Sequence, residues 1–165
     1  MVQSHKVWVY NSRMHELIFF IVVLWAGFCF AKVEIAIEGG HGWAENLPTW
    51  RLPPNNWASL LFFSGRPLTG YHVWMETFIL SLLHISYVFE VPTWSIELQI
   101  LAFFCFFSVV EDFLWFFLNP AFGLANFKPE KIWWHREHWW GIMPRDYYVL
   151  TMIGTVLYMV SLRFA

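Results

Sequence analysis

The chain has 165 residues, of which 58% are hydrophobic and 22% aromatic, and Asp, Glu, Lys and Arg together make up only 13%, about half the share usual in a soluble domain. A net charge of -2 without a basic run argues against nucleic acid as a partner, since the aromatic residues lie in apolar segments and not between Lys and Arg. The composition predicts an integral membrane protein.

Cys29 and Cys105 both fall in apolar runs, where a thiol behaves as a small hydrophobe, so neither a disulfide framework nor a thiolate metal site is expected. The N-terminus resembles a signal peptide, with Lys6 and Arg13 ahead of an apolar core. No small-x-small cleavage site follows, and Lys32, Glu34 and Glu38 come next, so the segment reads as a retained span.

Four spans are expected. The first, about 15–37, contains an apolar run over 17–31, with Ser12 as a candidate N-cap. Residues 46–70 hold Pro48, Pro53, Pro54 and Pro67 and cannot form one helix, although NWASLLFFS (56–64) suits a short interfacial helix. The second span, about 71–89, ends at Glu90, Val91 and Pro92, a connection short enough to imply an antiparallel neighbour. The third, about 93–118, stops at Asn119 and Pro120 with Gly123 beyond, a conventional helix exit. A second long connection containing IWWHREHWWG leads to the fourth span, about 146–162. Without a repeat or linker, the chain reads as a single transmembrane domain of four antiparallel helices, all-α, with two long interfacial connections on one face.

Those two connections carry Arg51, Arg66, Lys128, Lys131, Arg136 and Arg145, against Lys6, Arg13 and Arg163 on the other side. The positive-inside rule then makes both connections cytoplasmic. Trp43, Trp50, Trp57, Trp74, Trp133, Trp134, Trp139 and Trp140 map to the same side, as expected for an aromatic belt.

The ionisable residues converge there too. Glu34, Glu38, His41 and Glu45, at i, i+4, i+7 and i+11, form one stripe if the first helix continues through Gly39 and Gly40. The second span opens with His72 and Glu76, again at i and i+4. Glu111 and Asp112 lie about two turns before the third span's exit, pointing about 100° apart. His135 and His138 share a face if their segment is helical. Acidic side chains in a membrane repel one another and each costs a few kcal/mol. Protons, Lys32, Arg136 or a metal must therefore neutralise them.

Oxygen and nitrogen donors without thiolates suit iron or manganese, and also zinc. Glu38, His41, His72, Glu76, Glu111, His135 and His138 are the candidate metal ligands. Glu34, Glu45 and Asp112 are expected to orient them or shuttle protons, and Tyr71, Tyr147 and Tyr148 are candidate hydrogen-bond donors. Glu38 and His41 match the Glu-x-x-His spacing of di-iron carboxylate bundles. The chain has no second such pair in a suitable place, and HREH lacks the paired His of membrane desaturases, so only the ligand chemistry is analogous.

The expected function is a membrane-embedded non-haem metal oxidoreductase, dinuclear iron first, acting on a lipid or other hydrophobic substrate with the help of an electron donor. The alternatives are a zinc-dependent hydrolase of membrane lipids, a bis-His haem carrier, and a non-catalytic, pigment-binding subunit of a larger membrane complex.

Overall fold

In the computed structural model, which describes residues 2–62 and 65–164, the chain is mostly helical. The long helices are α1 (Val2–Glu38), α3 (Gly70–Leu83), α4 (Trp94–Leu118) and α5 (Arg145–Ser161), with a short α2 (Trp57–Phe62) between α1 and α3. A 3-10 helix, His84–Val88, extends α3. Two helical segments, Arg13–Glu38 and Trp94–Leu118, are long and apolar enough to cross a membrane. α3 and α5 have 14 and 17 residues, short of the roughly 20 that a straight span needs.

α4 is the central helix, packed against α1 on one side and α5 on the other. Glycines set both approaches. A Cβ at Gly27 would lie 2.7 Å from Val110 Cγ1, and one at Gly154 would lie 3.1 Å from Cys105 Cβ. Small residues at such crossings let the two backbones close in.

The helix ends are built by specific side chains. Thr69 caps α3 and Thr93 caps α4, each accepting a hydrogen bond from a backbone N–H three residues on. Asn119 caps the exit of α4 from both sides of its amide. Its Nδ2 donates to the Gly39 carbonyl at 2.7 Å and its Oδ1 accepts from Ala121 N at 3.0 Å, tying the ends of α1 and α4 together.

α1 stops at Glu38. Gly39 takes φ +67°, the left-handed turn that ends many helices, and Gly42, Trp43 and Ala44 also have positive φ. The stripe expected to run on to His41 and Glu45 is therefore broken after Glu38. Ser12 is no N-cap, since the helix runs through it to Val2.

The connections hold more structure than their prolines suggest. Arg51–Leu52 pairs with Leu68–Thr69 as β1 and β2, and Trp139–Trp140 pairs with Met143–Pro144 as β3 and β4. α2 presents Trp57 and Leu60 outward and buries Ala58 and Ser59, while Phe63 and Ser64 of the expected interfacial helix lie outside the described residues. Trp43 and Trp134 are not belt residues. With Ala31, Trp115, Phe116 and Ile132 they form a buried core beneath the connections, because the left-handed turn after Glu38 folds Trp43 back over the bundle end.

The helical surfaces face outward with apolar side chains. Leu17, Ile21, Leu24 and Trp25 of α1 and Met152, Val156 and Met159 of α5 are all exposed. Replacing Gly27 with Leu should force α1 away from α4 and destabilise the fold by roughly 1–3 kcal/mol, the usual range for overpacking, read as a lower thermal unfolding midpoint in detergent. An unchanged midpoint would mean that the crossing tolerates a side chain.

Candidate functional site

At the end of the bundle where α1 and α4 stop and α3 and α5 begin, the side chains form a partly open cavity of about 70 Å³. A site needs about 10–15 Å³ by this measure to hold one water, so there is room for several small ligands. Of the ten candidate residues, seven line it: Glu34 and Glu38 from α1, His72 and Glu76 from α3, Glu111 and Asp112 from α4, and His135 from the second long connection. The cavity is also lined by Arg66, Asp146, Tyr147, Trp43 and Trp115.

On the α1–α3 side, the cap of α3 also orients the first imidazole. Thr69 Oγ1 accepts from His72 N and lies 2.6 Å from His72 Nδ1, so the ring's far nitrogen, Nε2, points at Glu38 Oε1 across 3.9 Å. Trp43 stacks on the same ring at 4.1 Å. Glu38 Oε1 accepts from Ala44 N in the left-handed loop. Deeper in the bundle, Glu34 and Glu111 bring two carboxyl groups to the same part of the cavity wall. Tyr71 donates to Glu34 at 3.3 Å. Glu111 Oε1 and Glu76 Oε2 are buried with no hydrogen-bond partner.

On the α5 side the wall is held by Arg66. Its Nη2 lies 3.3 Å from Asp146 Oδ2 and its Nη1 3.4 Å from His135 Nε2, while the guanidinium sits 4.3 Å over the Trp43 ring. Arg145 reaches Asp146 from outside at 3.8 Å. Asp112 Oδ2 accepts from Tyr147 at 2.6 Å and faces His135 Nε2 at 3.4 Å. Burial, then the nearby Arg66 charge, push the proton affinity of His135 below its ordinary value, and Asp112 only partly opposes them.

Three candidates stand apart. His41 and Glu45 pair with each other at 3.6 Å, with side chains 62% and 51% exposed, because the helix that would carry them inward has ended. His138 does not share a face with His135. HREH folds as a 3-10 turn over Arg136–His138, which leaves His135 1% exposed in the cavity wall and sets His138 against Gly65.

Lys32 and Arg136, two of the options for neutralising the acids, are both exposed. Arg66 takes that place, although in the sequence it stands out only as one Arg among several, between Gly65 and Pro67. Asp146 reads there as a helix boundary. Trp43 and Trp115 carry no signal that separates them from the other ten tryptophans.

Among the described residues no three His, Cys, Asp or Glu side chains stand close enough together to hold a metal ion as they are placed. Compared with known proteins, the chain matches no family model, no curated protein and no solved structure.

The folded protein binds a proton on His135 less tightly than the unfolded chain does. This contribution to stability is therefore complete above the ordinary imidazole value of 6.5 and is lost as the pH falls below it. The unfolding midpoint should drop between pH 6.5 and 5, and His135→Gln should show a smaller drop. An identical acid loss in the variant would place the sensitivity elsewhere.

Proposed function

We propose that the chain is a four-span membrane protein and a metal-dependent oxidoreductase, with a non-haem iron centre, dinuclear, acting on a lipid or other hydrophobic substrate. The observation that carries this reading is the inversion of polarity: eight carboxylate and imidazole side chains from four helices and one connection line a single cavity, while the outward faces of α1 and α5 are apolar.

Membrane integration rests on that inversion and on element lengths. α1 and α4 suffice by themselves. α3 with its 3-10 extension covers Gly70 to Val88, roughly 30 Å at the usual rises, which matches a hydrocarbon core. The 17 residues of α5 give roughly 25 Å, a mismatch that local thinning or flanking aromatics absorb. Exposed Trp57, Trp74 and Trp140 at the cavity end and Trp94 at the other suit the two interfaces. The Lys and Arg distribution supports a cytoplasmic position for both long connections.

The case for a metal is chemical. The Glu and His donors are hard to borderline oxygen and nitrogen ligands, suited to iron, manganese or zinc, and a cation stabilises several acids in one small space better than separate protons do. Glu38, His72, Glu76, Glu111 and His135 are the residues that would hold it, with Glu34 beside them to orient a ligand or move a proton. Bound iron would supply the electron chemistry that oxidation of an unactivated hydrocarbon needs. Asp112 and Tyr147 share a hydrogen bond in the opposite wall, where they can hold a proton at the carboxylate or phenol oxygen. The surrounding Trp43, Trp115, Phe116 and Trp134 line part of the cavity with apolar rings. The substrate would arrive from the bilayer, and an electron donor would approach from the connections.

Elemental analysis of the detergent-purified protein tests the reading. Roughly one or two iron atoms per chain are expected in the wild type, by analogy with carboxylate bundles, with severe loss in Glu111→Ala and retention in His41→Ala. Stoichiometric zinc would redirect the assignment to a hydrolase. A metal-free wild type that co-purifies with other subunits would sink the enzyme reading in favour of a structural one.

A further inference from the structure

α3 is held at its ends more than along its length. Of its 14 residues only Gly70 and His72 are buried, and Trp74, Phe78 and Leu82 face outward. Backbone contacts fix the cavity end: Gly70 N donates to the Trp50 carbonyl at 3.0 Å, and Tyr71 N donates to Thr49 Oγ1 at 2.9 Å. Side chains join the opposite end to the first turn of α4. His84 and Tyr87, from the 3-10 extension of α3, both reach Glu97.

The His84 ring lies between two acceptors. Its Nδ1 is 2.6 Å from the Leu80 carbonyl oxygen, and its Nε2 is 3.4 Å from each carboxylate oxygen of Glu97. A neutral imidazole carries one N–H. With that proton on Nδ1 a lone pair faces the carboxylate, and with it on Nε2 a lone pair faces the carbonyl, so each neutral tautomer loses one contact. Only the imidazolium satisfies both. The helix dipole favours a carboxylate in the first turn of α4, but it does not account for an imidazole aimed at that carboxylate and pinned by its other nitrogen. Among the described residues, Glu97 is the charged group within ion-pair reach of His84: Glu90 on the connection is exposed, and Glu76 lies more than two turns away on α3. Tyr87 donates to the same carboxylate, and a phenol keeps its proton well past neutral pH.

We propose that His84, Glu97 and Tyr87 form a proton-dependent latch at the end of the bundle opposite the cavity. The His84 imidazolium and the Tyr87 hydroxyl together hold the end of α3 against α4. Loss of the His84 proton removes the first hold and leaves the second, so this end loosens while the cavity end stays fixed by Thr49 and Trp50. The proton state at one end of the bundle thereby sets how freely the helix that supplies His72 and Glu76 can tilt. The latch stands on these contacts and not on a bound metal. Its contribution is complete while His84 is charged and is lost as the pH rises above the ordinary imidazole value of about 6.5, opposite in sense to the acid loss expected at His135.

Hydrogen–deuterium exchange on the full chain in detergent, between about pH 5.5 and 8 and corrected for the intrinsic pH dependence of exchange, reads the local opening. Protection of the amides of residues 84–90 should fall roughly two- to fivefold across that range, the size set by a partly exposed ion pair, with residues 70–77 unchanged. Tyr87→Phe should enlarge the fall, and His84→Gln and Glu97→Gln should abolish it. Wild-type protection over 84–90 that is flat with pH, an equal fall over 70–77, or the same fall in His84→Gln would overturn the latch. The wild-type profile needs no variant, so a variant that fails to fold does not shelter the proposal.

Discussion

Six acidic side chains, Glu34, Glu38, Glu76, Glu111, Asp112 and Asp146, line one small cavity, and the rest of the structure is arranged around making that tolerable. An unpaired buried carboxylate costs several kcal/mol, so each must find a proton, a donor or a cation. The chain uses donors and cations. Glu34 takes the Tyr71 hydroxyl, Glu38 the Ala44 N–H and Asp112 the Tyr147 hydroxyl, and Asp146 faces two arginines. Glu76 and Glu111 are the acids for which burial is least compensated by these means, since Glu76 Oε2 and Glu111 Oε1 have no hydrogen-bond partner.

Arg66 links that electrostatic arrangement to the fold. It comes from the connection between α1 and α3, yet its guanidinium contacts Trp43, His135 and Asp146. Its backbone is fixed as well, because Ser59 donates to the Arg66 carbonyl and Trp43 Nε1 donates to the Pro67 carbonyl. Removing the charge would therefore loosen both long connections at once, since each depends on the other for a partner. This interdependence explains why proline-rich connections carry regular pairing, as in β1 with β2, where a free loop would be expected.

How far the sequence carried the argument follows from which physical signals are local. Long apolar runs between charged flanks locate the helices, and acids in apolar surroundings, Glu111 above all, mark the cavity. These signals depend on neighbours in the chain. The fate of His41 and Glu45 depended on whether Gly39 would continue a helix or turn it, and glycine permits either at little cost. Only the contact that ties the Gly39 carbonyl to Asn119, 80 residues away, shows which occurs. Arg66 was invisible for the same reason: its role lies in partners from α5 and the second connection, not in its neighbours. The division of eight tryptophans between a surface belt and a buried core was also unreadable, because Trp43 and Trp57 have the same chemistry and differ only in what packs over them.

The two sides of the cavity also differ in how freely they can rearrange, and that bears on function. The α5 side is cross-linked by a guanidinium with three partners, a short phenol–carboxylate hydrogen bond and a buried imidazole at 1% exposure. Moving one member strands the others in a low-dielectric space. On the α1–α3 side, His72 is held by a cap and a stacked ring, but the glutamates around it have longer side chains than the aspartates opposite. A site that must take up a ligand, release it or change its charge needs one rigid wall to define position and one adaptable wall to respond. In this protein the rigid wall comes from the connections and the adaptable one from the helix ends, whose side chains can rotate without disturbing the Arg66 cross-link.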